Sequence, residues 1–174
     1  MYKRQQQERA VNYLSEFQKE GKLYRQDNIY SENAIINHIL NRKIEYCNNN
    51  GLSIKCMVCG ELKGVSDYDI HIILENLLDN AIEAALKAVN KRISVDIYSD
   101  EQAMVIKISN TTEENVLKNN PEMNTTKKDN SYHGYGIKNV SELVKKNNGT
   151  IEYIQLGVDI VQCRVLLMLS LIHI

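Results

Sequence analysis

From Asp67 to about Lys87 the apolar residues Ile70, Ile73, Leu74, Leu77, Leu78, Ala81, Ile82 and Ala85 recur at helical spacing. The stripe is wide, which implies a long helix packed on something flat, and a β-sheet is the flat partner that the rest of the chain can supply. Arg92–Ser99 (RISVDIYS) and Ala103–Ser109 (AMVIKIS) alternate as strands do, and the short Asp100-Glu101-Gln102 turn between them predicts an antiparallel hairpin. Leu52–Val58 (LSIKCMV) alternates in the same way after the breakers Asn48, Asn49, Asn50 and Gly51. IEYIQL and DIVQCRVLLML supply two further strands near the C-terminus. The expected architecture is an α/β (α+β) two-layer sandwich, a mixed and mostly antiparallel sheet covered by helices on one face.

Two helices precede this unit. Residues 5–19 place Ala10, Val11, Leu14 and Phe17 at helical spacing and end near Gly21. A second pattern runs from about Ser31, a possible N-cap, to Asn49 with Ile35, Ile36, Ile39, Leu40 and Ile44 on one face. Together they predict an antiparallel hairpin over residues 1–50, ahead of a domain at 51–169. With 174 residues and 43% apolar and 25% charged side chains, the chain fits one globular domain with a helical appendage. A formal charge of −1 gives no basic field, which argues against a nucleic-acid partner. No stretch reaches the roughly 18 to 20 apolar residues that cross a bilayer. Cys47, Cys56, Cys59 and Cys163 occur without secretory features, so a reducing, cytoplasmic setting is expected.

The chemistry concentrates in two places. In Glu75-Asn-Leu-Leu-Asp-Asn-Ala-Ile-Glu-Ala-Ala85, Asn76 and Asn80 are four apart and project from one helical face, although amides are mediocre helix formers. An asparagine carbonyl is a hard oxygen that can ligate Mg²⁺. His133-Gly134-Tyr135-Gly136 opens a helix that ends at Gly149, and there glycine lets backbone N–H groups approach an anion at a helix N-terminus. A long polar loop, residues 110–132, joins the hairpin to this turn.

That ordered set resembles the GHKL superfamily with its Bergerat ATP-binding fold, over about residues 52–168. ENLLDNAIEAA looks like the N box and HGYGIKNV like the second glycine box. The resemblance implies ATP and Mg²⁺ as ligands, with Asn80 on the metal and Asn76 near the phosphates. It implies that Gly134 and Gly136 hinge a lid, with His133, Tyr135 and Ile137 beside them at the start of the phosphate-receiving helix. Where the superfamily carries Asp-x-Gly-x-Gly, this chain has Ser109-Asn110-Thr111-Thr112-Glu113, so neutral Asn110 takes the adenine-binding position. That variant is similar to the one in peptide-sensing histidine kinases of the accessory-gene-regulator type. Their Thr-Ser-Lys-like stretch corresponds to Thr125-Thr126-Lys127-Lys128, from which Lys127 would reach the terminal phosphate. ATP-hydrolysing members place a glutamate where Asn76 stands; an amide is no general base, so phosphoryl transfer to a protein acceptor is implied rather than hydrolysis. Glu75, one residue along the helix, is assigned a catalytic role directed at the acceptor histidine.

The implied protein is thus a sensor histidine kinase that dimerises through its N-terminal helices and passes phosphate to a response regulator. The acceptor slot near Asn33 holds no histidine, so the acceptor is expected before Met1, in a fragment severed from a membrane sensor region. The ends MYKRQ and LSLIHI read as non-native, with residues 170–174 a tail. Cys56-Met-Val-Cys59 lacks a second ligand pair for a zinc site, and strand alternation sends its thiols to opposite faces. Two other functions fit the pattern: a degenerate GHKL module without catalysis, and a serine kinase of the anti-sigma-factor kind.

Overall fold

A computed structural model describes residues 31–113 and 135–169, together with isolated positions at 5, 8, 29, 118 and 121. In chain order the described elements are α1 (Ala34–Asn49), β1 (Ser53–Gly60), α2 (Asp67–Lys87), β2 (Arg92–Ser99), β3 (Ala103–Thr111), α3 (Tyr135–Lys146), β4 (Thr150–Gln155) and β5 (Ile160–Met168). They form a five-stranded sheet of order β1-β2-β3-β5-β4. Only β1 and β2 are parallel, and α2 is the crossover that a parallel pair requires. The remaining pairs are antiparallel. The β2–β3 hairpin closes where Asp100 Oδ1 accepts the backbone N–H groups of Gln102 and Ala103 at 2.8 and 2.9 Å.

Strand alternation puts Val95 and Ile97 of β2, Met104, Ile106 and Ile108 of β3, and Cys163, Val165 and Leu167 of β5 in one core with the apolar stripes of the three helices. The helices therefore cover a single face, and the chain is the two-layer sandwich expected, with a mixed sheet. Helix α2 supplies Ile70, Ile73, Leu74, Leu77, Leu78, Ala81, Ile82 and Ala85 to this core, the same eight residues whose spacing predicted it. Helix α1 adds Ile36, Ile39, Leu40, Ile44 and Cys47 and packs on α2 and β1.

The start of α1 differs from the sequence reading. The N-cap of α1 is Asn33, whose side-chain oxygen accepts from Ile36 N at 2.9 Å, and not Ser31. Asn33 prevails because its Nδ2 also donates to Leu62 O, while Ser31 Oγ donates to Asn37 Oδ1 at 2.7 Å. The thiols of Cys56 and Cys59 pack on opposite faces of the sheet. Burial pushes them up to about 12 and about 11, so neither is a thiolate at neutral pH.

Helices α2 and α3 run antiparallel. Asp69 in the first turn of α2 is 2% exposed and accepts from Lys146 Nζ at 3.0 to 3.1 Å and from Asn147 Nδ2 at 2.9 Å, just past the end of α3. Burial alone would raise the Asp69 carboxyl, but the bonds from Asn147 and Lys146 outweigh it and hold it below the usual carboxylate range. A lowered folded value contributes stability that is complete above the unfolded value near 4 and is lost as pH falls through the folded one. Asp69→Asn is therefore expected to cost about 2 kcal/mol at neutral pH. It should also flatten the acid-induced loss of stability, as measured by urea midpoints from about pH 5 downwards. An acid limb as steep as in the parent chain would show that Asp69 is not its source.

Candidate functional site

The clamp at Asp69 fixes which end of α3 meets which end of the sheet. Met168 N donates to Asn147 O at 3.1 Å, and Met168 stands opposite Ala103, the first residue of β3. From there α3 leads back toward the end of the sheet where β3 finishes at Asn110 and Thr111, and α2 runs from Asp69 toward Asn76 and Asn80. The middle of α2 and the start of α3 are thereby brought together.

Asn76 and the start of α3 meet directly. A Cβ placed on Gly136 would lie 2.7 Å from Asn76 Oδ1, closer than real side chains approach. Asn76 Nδ2 donates to Ile72 O at 2.7 Å one turn back, so an added methyl group would push the amide off the position that this bond gives it. Gly136 thus lets the first turn of α3, whose N–H groups have no partner within the helix, sit against the Asn76 amide. Ile137 is half-buried beside it, while Lys138 and Asn139 are exposed. Asn80, one turn beyond Asn76, is exposed.

Asn110 lies within β3, paired with Ile93 and Val161, and not at the start of a loop. Its parity is that of Ile106 and Ile108, so its side chain is on the helix-covered face. It is buried and donates from Nδ2 to Thr111 O at 3.0 Å. Lys127, His133 and Gly134 lie outside the described residues, as do most of the 110–132 loop and the side chain of Tyr135.

Glu75 turns away from the amides toward α1. It forms ion pairs with Arg42 and with Lys43, whose Nζ is 2.8 Å from Glu75 Oε2 and 2.5 Å from Asp79 Oδ1. Burial works against the Glu75 carboxylate, but Lys43 and Arg42 outweigh it and keep its pKa below the usual range. Burial likewise opposes the Lys43 charge, and the bonds to Asp79 and Glu75 hold its pKa above the ordinary value. Sequence reasoning missed Arg42, Lys43 and Asp79. The signal was present, since Lys43 interrupts the apolar stripe of α1 between Leu40 and Ile44, where a lysine needs a buried partner.

Residues 65–166, more than half of the chain, match the family model of the GHKL domain. The chain belongs to that family. No curated protein matches it in sequence. Among solved structures, this GHKL domain is similar to the catalytic domain of the histidine kinase ThkA, with a TM-score of 0.63 at 15% identity, covering 80% of this chain and 92% of that one. It is similar also to the Acinetobacter baumannii histidine kinase AdeS, with a TM-score of 0.58 at 15% identity over 79% of this chain, which spans 64% of the length of AdeS. A third likeness is to full-length ShkA in complex with AMPPNP, with a TM-score of 0.58 at 14% identity over 77% of this chain and 30% of ShkA. At these identities the likeness is one of fold.

The donor set of the GHKL domain suits a magnesium nucleotide. It offers an exposed hard oxygen on Asn80, a helix start seated closely on Asn76 at a glycine, and a buried amide at the end of β3.

Proposed function

We propose that this GHKL domain is the ATP-binding catalytic domain of a two-component sensor histidine kinase, which donates the γ-phosphoryl of Mg-ATP to a histidine outside these residues. The observation that carries the reading is the seating of Gly136 on Asn76, which brings the N-box helix and the start of α3 together. The similar folds of the histidine kinases AdeS and ThkA support it, as does that of ShkA, which was solved with AMPPNP.

In this reading Asn80 ligates Mg²⁺, Asn76 orients the phosphates and Asn110 accepts from the adenine amino group. The N–H groups at Gly136 and Ile137 receive the phosphates, with Gly134 and Gly136 hinging the lid beside His133 and Tyr135, and Lys127 reaching the terminal phosphate. Bound Mg-ATP supplies the transferable phosphoryl group. The residue at position 76 is an amide and cannot activate water, so the phosphoryl group is kept for a protein acceptor. Glu75, turned toward α1 and paired with Arg42 and Lys43, keeps its assignment to the acceptor histidine and not to the nucleotide. The partners of this reading are a second copy through the N-terminal helices and a response regulator, on the cytoplasmic side of a membrane sensor.

Isothermal calorimetry tests the reading. The chain is expected to bind ATP only with Mg²⁺, and Gly136→Ala, which drives a methyl group onto Asn76 Oδ1, is expected to weaken binding about tenfold with little change in stability. No binding at millimolar nucleotide would sink the proposal and favour a non-catalytic GHKL module, for which the neutral Asn110 is the supporting observation.

A further inference from the structure

Helix α2 carries two neighbouring polar stripes. Asn76 and Asn80 form one, and Glu75 and Asp79, each one residue earlier, form the other, turned by about 100°. The carboxylate stripe is met by α1, where Lys43 lies between the two carboxylates and Arg42 adds a second cation to Glu75. The two cations differ. Among the described residues, Arg42 has a half-exposed side chain and pairs with Glu75 alone, whereas Lys43 is 8% exposed and is the cation paired with Asp79. Burying a lysine among Leu40, Ile44 and Cys47 is costly unless its charge is answered, and here two carboxylates answer it.

Asp79 is the immediate neighbour of Asn80, and Glu75 of Asn76. Both carboxylates therefore stand within about a Debye length, ~8 Å at physiological salt, of any polyphosphate bound on the amide stripe. Unanswered, they would repel it.

We propose that Lys43 is a positioning residue for the nucleotide: it turns Glu75 and Asp79 toward α1 and neutralises them, so that the amide stripe of α2 meets a polyphosphate without net negative charge beside it. The inference rests on the reading of Asn76 and Asn80 as the nucleotide face. It adds α1, an element outside residues 65–166, to the parts on which that face depends.

The test compares the whole chain with Lys43→Met, Lys43→Arg and Lys43→Met/Asp79→Asn. Mg-ATP binding is followed by calorimetry at low and high salt, and thermal unfolding is followed without nucleotide. Lys43→Met is expected to weaken binding about fivefold to tenfold at low salt, with a smaller loss at high salt. Lys43→Arg should hold most of the affinity. Adding Asp79→Asn to Lys43→Met should restore binding to within about twofold while the protein stays less stable than the parent, because neutralising the carboxylate removes the repulsion but not the packing defect. A structural role alone would lower the melting temperature of Lys43→Met without a salt-dependent loss of affinity, and that result overturns the proposal. So does failure of Asp79→Asn to restore binding. Should Lys43→Met not fold, Asp79→Asn by itself must bind Mg-ATP more tightly than the parent, and unchanged or weaker binding overturns the proposal. Absence of binding by the parent chain would sink the nucleotide reading itself, whereas parent binding with an indifferent Lys43→Met sinks only this one.

Discussion

Replacing Gly149 by alanine is expected to lower the unfolding free energy by about 3 kcal/mol or more. The added Cβ would lie 2.1 Å from Leu166 O and 3.0 Å from Val144 O, and both are backbone atoms that cannot swing aside. Gly149 ends α3 by donating its N–H to Val144 O at 2.8 Å, after Asn148 has taken the left-handed conformation at φ 50°. The next residue, Thr150, opens β4 opposite Leu166. A methyl group there must part β4 from β5 or uncap α3. Gly51→Ala is the control: its φ of 68° imposes backbone strain, but nothing lies within 4 Å of the added atom, so a loss of about 1 kcal/mol is expected. Urea denaturation of the two variants separates a steric cost from a conformational one. Equal midpoints would mean that the strand pair gives way freely at Leu166.

Asn80→Ala is expected to reduce Mg-dependent ATP affinity about 100-fold or more, in line with losses seen when groups that hold a metal are removed. Unfolding free energy should stay within about 0.5 kcal/mol of the parent, because the side chain is exposed and off the apolar stripe of α2. The pairing of a large binding loss with unchanged stability is what distinguishes a ligand from a packing residue. Asn76→Ala should differ, since Asn76 also bonds Ile72 O and bears on Gly136, so stability and binding would fall together. An Asn80→Ala chain that binds Mg-ATP as the parent does would remove the metal role from this position.

Much of the fold was legible because its elements are strongly periodic. Helix α2 spans Asp67–Lys87 and β2 spans Arg92–Ser99, as their patterns predicted. Local signals were less decisive where two residues could do one task. Ser31 and Asn33 are both competent caps, and the choice fell to Asn33 through a bond to Leu62, 29 residues away. Asn110 and Thr111 read as the start of a polar loop, yet they extend β3 because Val161 and Ile160 of β5 pair with them. The candidate site was legible as a set of residue types and spacings: two amides one turn apart and a glycine before a helix. Which of these touch was not, because Gly136 meets Asn76 through the antiparallel packing of α2 and α3 that Asp69, Lys146 and Asn147 enforce.

By itself the sequence determined the identity and bounds of most elements, the helix-covered face of the sheet and the two boxes that mark a GHKL domain. These follow from the 3.6- and 2-residue periods of apolar side chains and from residue chemistry that acts over a single turn. Only the tertiary structure decided the strand order, with β5 between β3 and β4, and the attachment of α1 to α2 through Lys43, Glu75 and Asp79. Both depend on which distant surfaces exclude water and answer charge together, a property of pairs of elements that no single stretch of chain encodes.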